Sequence, residues 1–132
     1  MYKRVLSTAI AALIGLGTVA SADTLAGGPV YGGLSSVGGT VTCRVFNAGQ
    51  GSLSLDTREI VNNAGGVVTL SFDTCNVGIP PAQSCAYGGP ITGNFAFSCH
   101  MFEAGVDGIV TGVVEIQSSG GTVLNTVPLK KF

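Results

Sequence analysis

The sequence has no tryptophan, a single histidine and no closely spaced cysteine pair, and each gap narrows the range of functions. With His100 alone, any acid–base or Ser-His-Asp mechanism must pass through that residue. Cysteines at 43, 75, 85 and 99 contain no C-x₂₋₄-C spacing, so they do not read as a structural zinc site. Charged residues are 10% of the chain, against about 25% in typical domains, and no basic run exists that could neutralise several phosphates. Nucleic acid is therefore not an expected partner. No G-x-x-x-x-G-K-[ST] loop is present, and no helical pattern follows Gly49-Gln50-Gly51, so these glycines read as a turn. No catalytic residue, cofactor or metal site is expected.

What is there begins with an address. Lys3 and Arg4 form a basic head, Val5–Val19 an apolar stretch, and Ala20-Ser21-Ala22 an A-x-A exit, the three parts of a secretory signal peptide over residues 1–22. Cleavage after Ala22 leaves 110 of the 132 residues and moves the formal charge from −1 to −3, because Lys3 and Arg4 leave with the leader. An uncleaved anchor is the competing reading, since the stretch is of borderline spanning length. Gly15, Gly17, Thr18 and the small-residue exit favour cleavage. No other stretch is apolar and long enough to span a bilayer, so a secreted or periplasmic protein with no membrane span after cleavage is expected.

Glycine supplies 21 of the 132 residues, and its pairs at 27–28, 32–33 and 38–39 predict a flexible, Gly-rich lead-in over 23–39 with at most a short edge strand near Pro29–Tyr31. Residues 40–132 read as one β domain, because apolar alternation recurs at short intervals and no helical period interrupts it. Val41, Cys43 and Val45 share one face of a strand, with Arg44 and Phe46 on the other. Ser52–Asp56 and Arg58–Val61 flank a kink near Thr57, and Asn62-Asn63-Ala64-Gly65-Gly66 is a strong turn. Val67–Phe72 reads as a strand with Val68, Leu70 and Phe72 inward. Pro80-Pro81 forces a loop between Cys75 and Cys85. A short strand at Cys85–Tyr87 is broken by Gly88-Gly89-Pro90, and strands at Asn94–Phe102, Ile109–Gln117 and Thr122–Val127 complete the domain. About seven short strands point to an antiparallel β-sandwich.

Four cysteines in an exported chain predict two disulfides, with three pairings to choose from. Cys43 shares a face with Val41 and Val45, and Cys99 with Phe95, Phe97 and Met101, so both point at the core. That favours Cys43–Cys99, leaving Cys75–Cys85 to clip the proline loop.

The core cysteine pair, the strand count and the Pro80-Pro81-Ala82-Gln83-Ser84-Cys85 run resemble bacterial secreted immunoglobulin-like β-sandwich domains of the ASPM/SPD-2/Hydin type. The resemblance covers residues 40 to 117 and implies an immunoglobulin-like fold and binding or assembly outside the cytoplasm. It departs at Phe97, where antibody-type domains carry a tyrosine two residues before the second cysteine, and in having no core tryptophan.

Candidate contact residues lie on outer strand faces. His100 sits beside Ser98 and Phe102, and Phe46 projects from the strand of Cys43. Asp73, Glu103 and Asp107 are the acids available to assist His100 in an acid–base mechanism, without the spacing of a triad. The expected function is a non-enzymatic binding or structural module with a protein or cell-surface partner. The alternatives are a surface-fibre or adhesion subunit that self-associates, and a small secreted hydrolase working through His100.

Overall fold

In the computed structural model, residues 23–104 and 109–132 are described; the expected leader at 1–22 and residues 105–108, Asp107 among them, lie outside the described residues. The fold is all-β and antiparallel, with nine strands in place of the expected seven: β1 Asp23–Tyr31, β2 Thr40–Asn47, β3 Ser54–Asn62, β4 Phe72–Asp73, β5 Ser84–Pro90, β6 Ala96–Ala104, β7 Val110–Gln117, β8 Val123–Pro128 and β9 Lys130–Lys131. A single 3₁₀ turn, Leu34–Ser36, is the only helix among the described residues. Hydrogen bonds join the strands in two sets, in the orders β3-β6-β1-β9 and β4-β5-β2-β7-β8. Leu129 alone separates β8 from β9, so the C-terminal run passes from one set to the other and the sheet curls into a half-barrel.

The central strands carry the alternation that fills the curl. On β2, Val41, Cys43, Val45 and Asn47 are buried, and on β6, Phe97, Cys99, Met101 and Glu103 are buried. Leu25, Val30, Ile60, Tyr87, Val114 and Ile116 from neighbouring strands complete the core. Between the edge strands of the two sets, Arg58 of β3 meets Asp73 of β4, with Nε 2.8 Å from Oδ2. The kink expected near Thr57 is a bulge between Asp56 and Glu59, with Thr57 at φ 49°, and it turns Arg58 to this seam.

Three expectations are corrected. The flexible lead-in at 23–39 is instead mostly β1, a nine-residue strand held between β6 and β9. Its glycines serve close packing: a Cβ on Gly27 would fall 2.5 Å from Leu129 Cδ2. The stretch Val67–Phe72 is a strand only at Phe72, because its backbone hydrogen bonds are split, Val68 N–H going to Ile60 of β3 and Ser71 N–H to Gly88 of β5. Phe72 is 39% exposed rather than inward. Gly88 and Gly89, expected to break the chain, lie inside β5, where a Cβ on Gly89 would fall 2.3 Å from the Thr69 carbonyl oxygen. Residues 67–72 thus lie against bare glycine backbone.

Candidate functional site

Both disulfides form in the pairing read from strand parity. Cys43–Cys99 joins the central strands of the two sets, with Cα atoms 6.1 Å apart, and Cys75–Cys85 closes the proline loop, with Cα atoms 5.0 Å apart. The loop is also tied down by polar contacts. Asn47 Nδ2 donates to the Ile79 and Gly51 carbonyls, each at 2.8 Å, and Asn47 Oδ1 accepts from Gly49 N–H at 2.9 Å. The Asn47 N–H donates to the Gln83 carbonyl and the Asn47 carbonyl accepts from Ala82 N–H, each at 2.9 Å, on the same loop. A buried amide with all these partners fixes two loops at once.

The residues singled out for contact fall on two separate faces. His100 and Phe102 lie on the outer face of β6, with ring centroids 5.0 Å apart and an interplanar angle of 70°. Glu59, directly opposite His100 on β3, places Oε2 3.8 Å from His100 Nδ1. Both side chains are well exposed, so the pair is screened by water. Among the described residues, no Ser, Thr or Cys side chain hydrogen-bonds to His100 or Glu59. The arrangement orients an imidazole beside a carboxylate and an aromatic edge, which suits recognition of a polar or cationic group.

Phe46 belongs to the other set. It is 39% exposed on the outer face of β2, at the rim of a groove of about 400 Å³ formed with Arg44, Ser84, Ala86, Thr74 and Val113. Arg44 Nη2 lies 3.6 Å from Glu115 Oε1, which holds the guanidinium along one wall. The structure therefore does not bring Phe46 together with His100 and Phe102; the three expected contact residues mark two surfaces, because β2 and β6 turn their outer faces in different directions around the core.

Among the described residues, no group of three or more His, Cys, Asp or Glu side chains is placed to hold a metal ion, and no helix is long and apolar enough to cross a membrane. Ser36, Thr42, Asn47 and Glu103 are the buried polar residues among those described; of the last two, Asn47 was not singled out from the sequence and Glu103 was named only as an acid to assist His100, not as an inward group. Strand parity carries the signal for each, since both stand four residues after an inward cysteine. Tyr87 was also missed as a core residue; its ring is fully buried and its hydroxyl donates to the His100 carbonyl at 3.4 Å. Burial pushes the Tyr87 phenol above its ordinary value, with Asp73 and Glu59 adding to the shift and Arg58 opposing it. No family model, curated protein or solved structure matches the chain.

Proposed function

We propose that the chain is an exported, disulfide-braced module that works by surface contact, with an immunoglobulin-like β-sandwich as the ancestral plan of its two strand sets. The observation that carries this reading is the oxidation of all four cysteines into two bridges, one through the middle of the core. Such bridges persist in a periplasm or outside the cell. That agrees with the leader read at residues 1–22. The likeness to secreted immunoglobulin-like domains points the same way, and a central disulfide between two packed strand sets supports it.

The groove beside Phe46 is the contact surface we favour. It combines an exposed ring, an apolar floor and one oriented guanidinium, the mixture that suits a protein or cell-surface partner. The test is retention of the exported protein on immobilised envelope fractions, comparing wild type with Phe46→Ala and His100→Ala. Retention reduced roughly tenfold by Phe46→Ala, about 1.4 kcal/mol of contact, is expected. Retention indifferent to both variants would sink the surface-contact reading. Hydrolytic turnover abolished by His100→Ala would replace it with an enzyme, and concentration-dependent oligomers in light scattering would replace it with an assembly subunit.

A further inference from the structure

β5 has a surface feature at each end. The groove beside Phe46 lies at its Ser84 end, and a second cavity, of about 210 Å³, lies at its Pro90 end. Val67, Val68, Phe95 and Phe97 form its apolar walls, and Asn62 stands at its edge. Phe97 is 2% exposed and Val67 65%, so the cavity runs from the core to the surface.

The walls are held by the protein itself. Asn63 N–H donates to the Ala96 carbonyl at 3.0 Å and Asn63 Oδ1 accepts from Ala96 N–H at 3.2 Å, which ties the 62–66 turn to the start of β6. Across the cavity, Val68 N–H donates to the Ile60 carbonyl at 2.8 Å. A Cβ on Gly89 would fall 2.8 Å from Val68 Cγ1, and one on Gly93 would fall 2.4 Å from Phe95 Cε2, so both side chains rest on bare backbone. The site is therefore preformed, and little remains to be ordered on binding.

Its size and its one amide define the occupant. An apolar cavity of about 150 Å³ holds a benzene ring, and the remaining 60 Å³ or so is the share of two water-sized atoms at about 30 Å³ each. Two phenylalanine rings favour an aromatic guest beyond the area it buries. Among the described residues no charged side chain lines the cavity, so a carboxylate would lose its hydration there without compensation. Asn62 Oδ1 accepts from the Ala64 and Gly66 N–H groups, each at 2.9 Å. Nδ2 donates to no protein group among the described residues, and its hydrogens are open to an acceptor. We propose that this cavity binds a neutral, single-ring aromatic molecule carrying one acceptor oxygen, an aromatic ketone or aldehyde. The ring lies against Val68, Phe95 and Phe97, and the oxygen accepts from Asn62 Nδ2. The site is separate from the Phe46 groove, and neither reading needs the other.

The test is a titration of the ¹⁵N-labelled full chain with acetophenone, followed through backbone and side-chain amide resonances, with benzene as the ring alone. Saturable shifts centred on Val67, Val68, Thr69, Phe95 and Phe97 are expected, with a dissociation constant of about 1 mM or below. The Asn62 side-chain protons should move downfield with acetophenone and not with benzene. Asn62→Asp keeps an oxygen for the Ala64 and Gly66 N–H groups and removes the donor, so it should weaken acetophenone about tenfold and leave benzene unchanged. If that variant does not fold, the wild-type Asn62 protons decide alone. Shifts that do not saturate, or that centre on the Phe46 groove, overturn the site. Acetophenone affinity indifferent to Asn62→Asp overturns the ligand class.

Discussion

β2 and β6, the two strands joined by Cys43–Cys99, are built alike and finished differently. Each runs through the centre of its set, each points a cysteine inward, and each ends its inward row four residues later with a buried polar side chain, Asn47 on one and Glu103 on the other. Asn47 has partners for its amide on three loop residues. Glu103 has one cation and no hydrogen bond. The difference separates structural polarity from polarity held in reserve. An uncharged amide with every partner in place fixes the proline loop permanently, whereas a charged group with open acceptor sites is stable there only when something completes it.

The brace shared by the two strands should dominate the stability of the fold. Replacing Cys43 and Cys99 by Ala opens a closure with a sequence separation of 56, against 10 for Cys75 and Cys85. Loop-closure entropy gives about 4 kcal/mol for the first and about 3 kcal/mol for the second, large against net stabilities of about 5–15 kcal/mol. Urea midpoints of the two double variants measure this. A clip variant less stable than the brace variant would show that the proline loop, and not the central bridge, organises the core.

The ends of the two strands provide the next contrast. Asn47→Ala leaves the Ile79 and Gly51 carbonyls and the Gly49 N–H without their partner. It should cost about 2–3 kcal/mol at every pH, because no titratable group is involved. Glu103→Gln should cost about 1–2 kcal/mol, because it removes the carboxylate that faces the Lys131 ammonium. Urea midpoints of both variants at pH 7 check the pair. A larger loss for Glu103→Gln than for Asn47→Ala would erase the distinction drawn between them.

Much of the β2–β6 frame was legible because half-buried strands write their facing into the sequence with a period of two. Val41, Cys43 and Val45 share parity, as do Phe97, Cys99 and Met101, and the disulfide pairing follows from that facing. β1 was illegible for a matching reason. Leu25 and Val30 are both buried but of opposite parity, because a bulge between Gly27 and Val30 resets the phase. Gly27 makes room for Leu129, a neighbour that no local pattern announces. Gly88 and Gly89 misled in the same way, since glycine at a turn and glycine under a crossing segment look identical in a sequence. Outward facing of Phe46 and Phe102 could be read from parity. That they face different ways could not, because it depends on which strands pair.

Tyr87 joins the two sets without a covalent bond and gives the smallest but most specific effect. It lies opposite Cys43 in the β2–β5 ladder and reaches the His100 backbone on β6, so it parallels the disulfide as a link between the sets. Burial holds its phenol in the neutral form, above its ordinary value. A group whose folded pKa is raised contributes stability below its unfolded pKa, about 10 for tyrosine, and that contribution is lost as pH rises beyond it. Wild type should therefore lose stability above pH ~10, as unfolding releases Tyr87 to ionise. Tyr87→Phe keeps the ring and removes the ionisation, along with a long hydrogen bond. At pH 7 it should change stability by less than about 1 kcal/mol, while removing part of the alkaline loss. Urea midpoints at pH 7 and pH 10.5 measure both. An unchanged alkaline loss in Tyr87→Phe would mean that the weak point at high pH lies elsewhere, with Lys131 and its contact to Glu103 the next place to look.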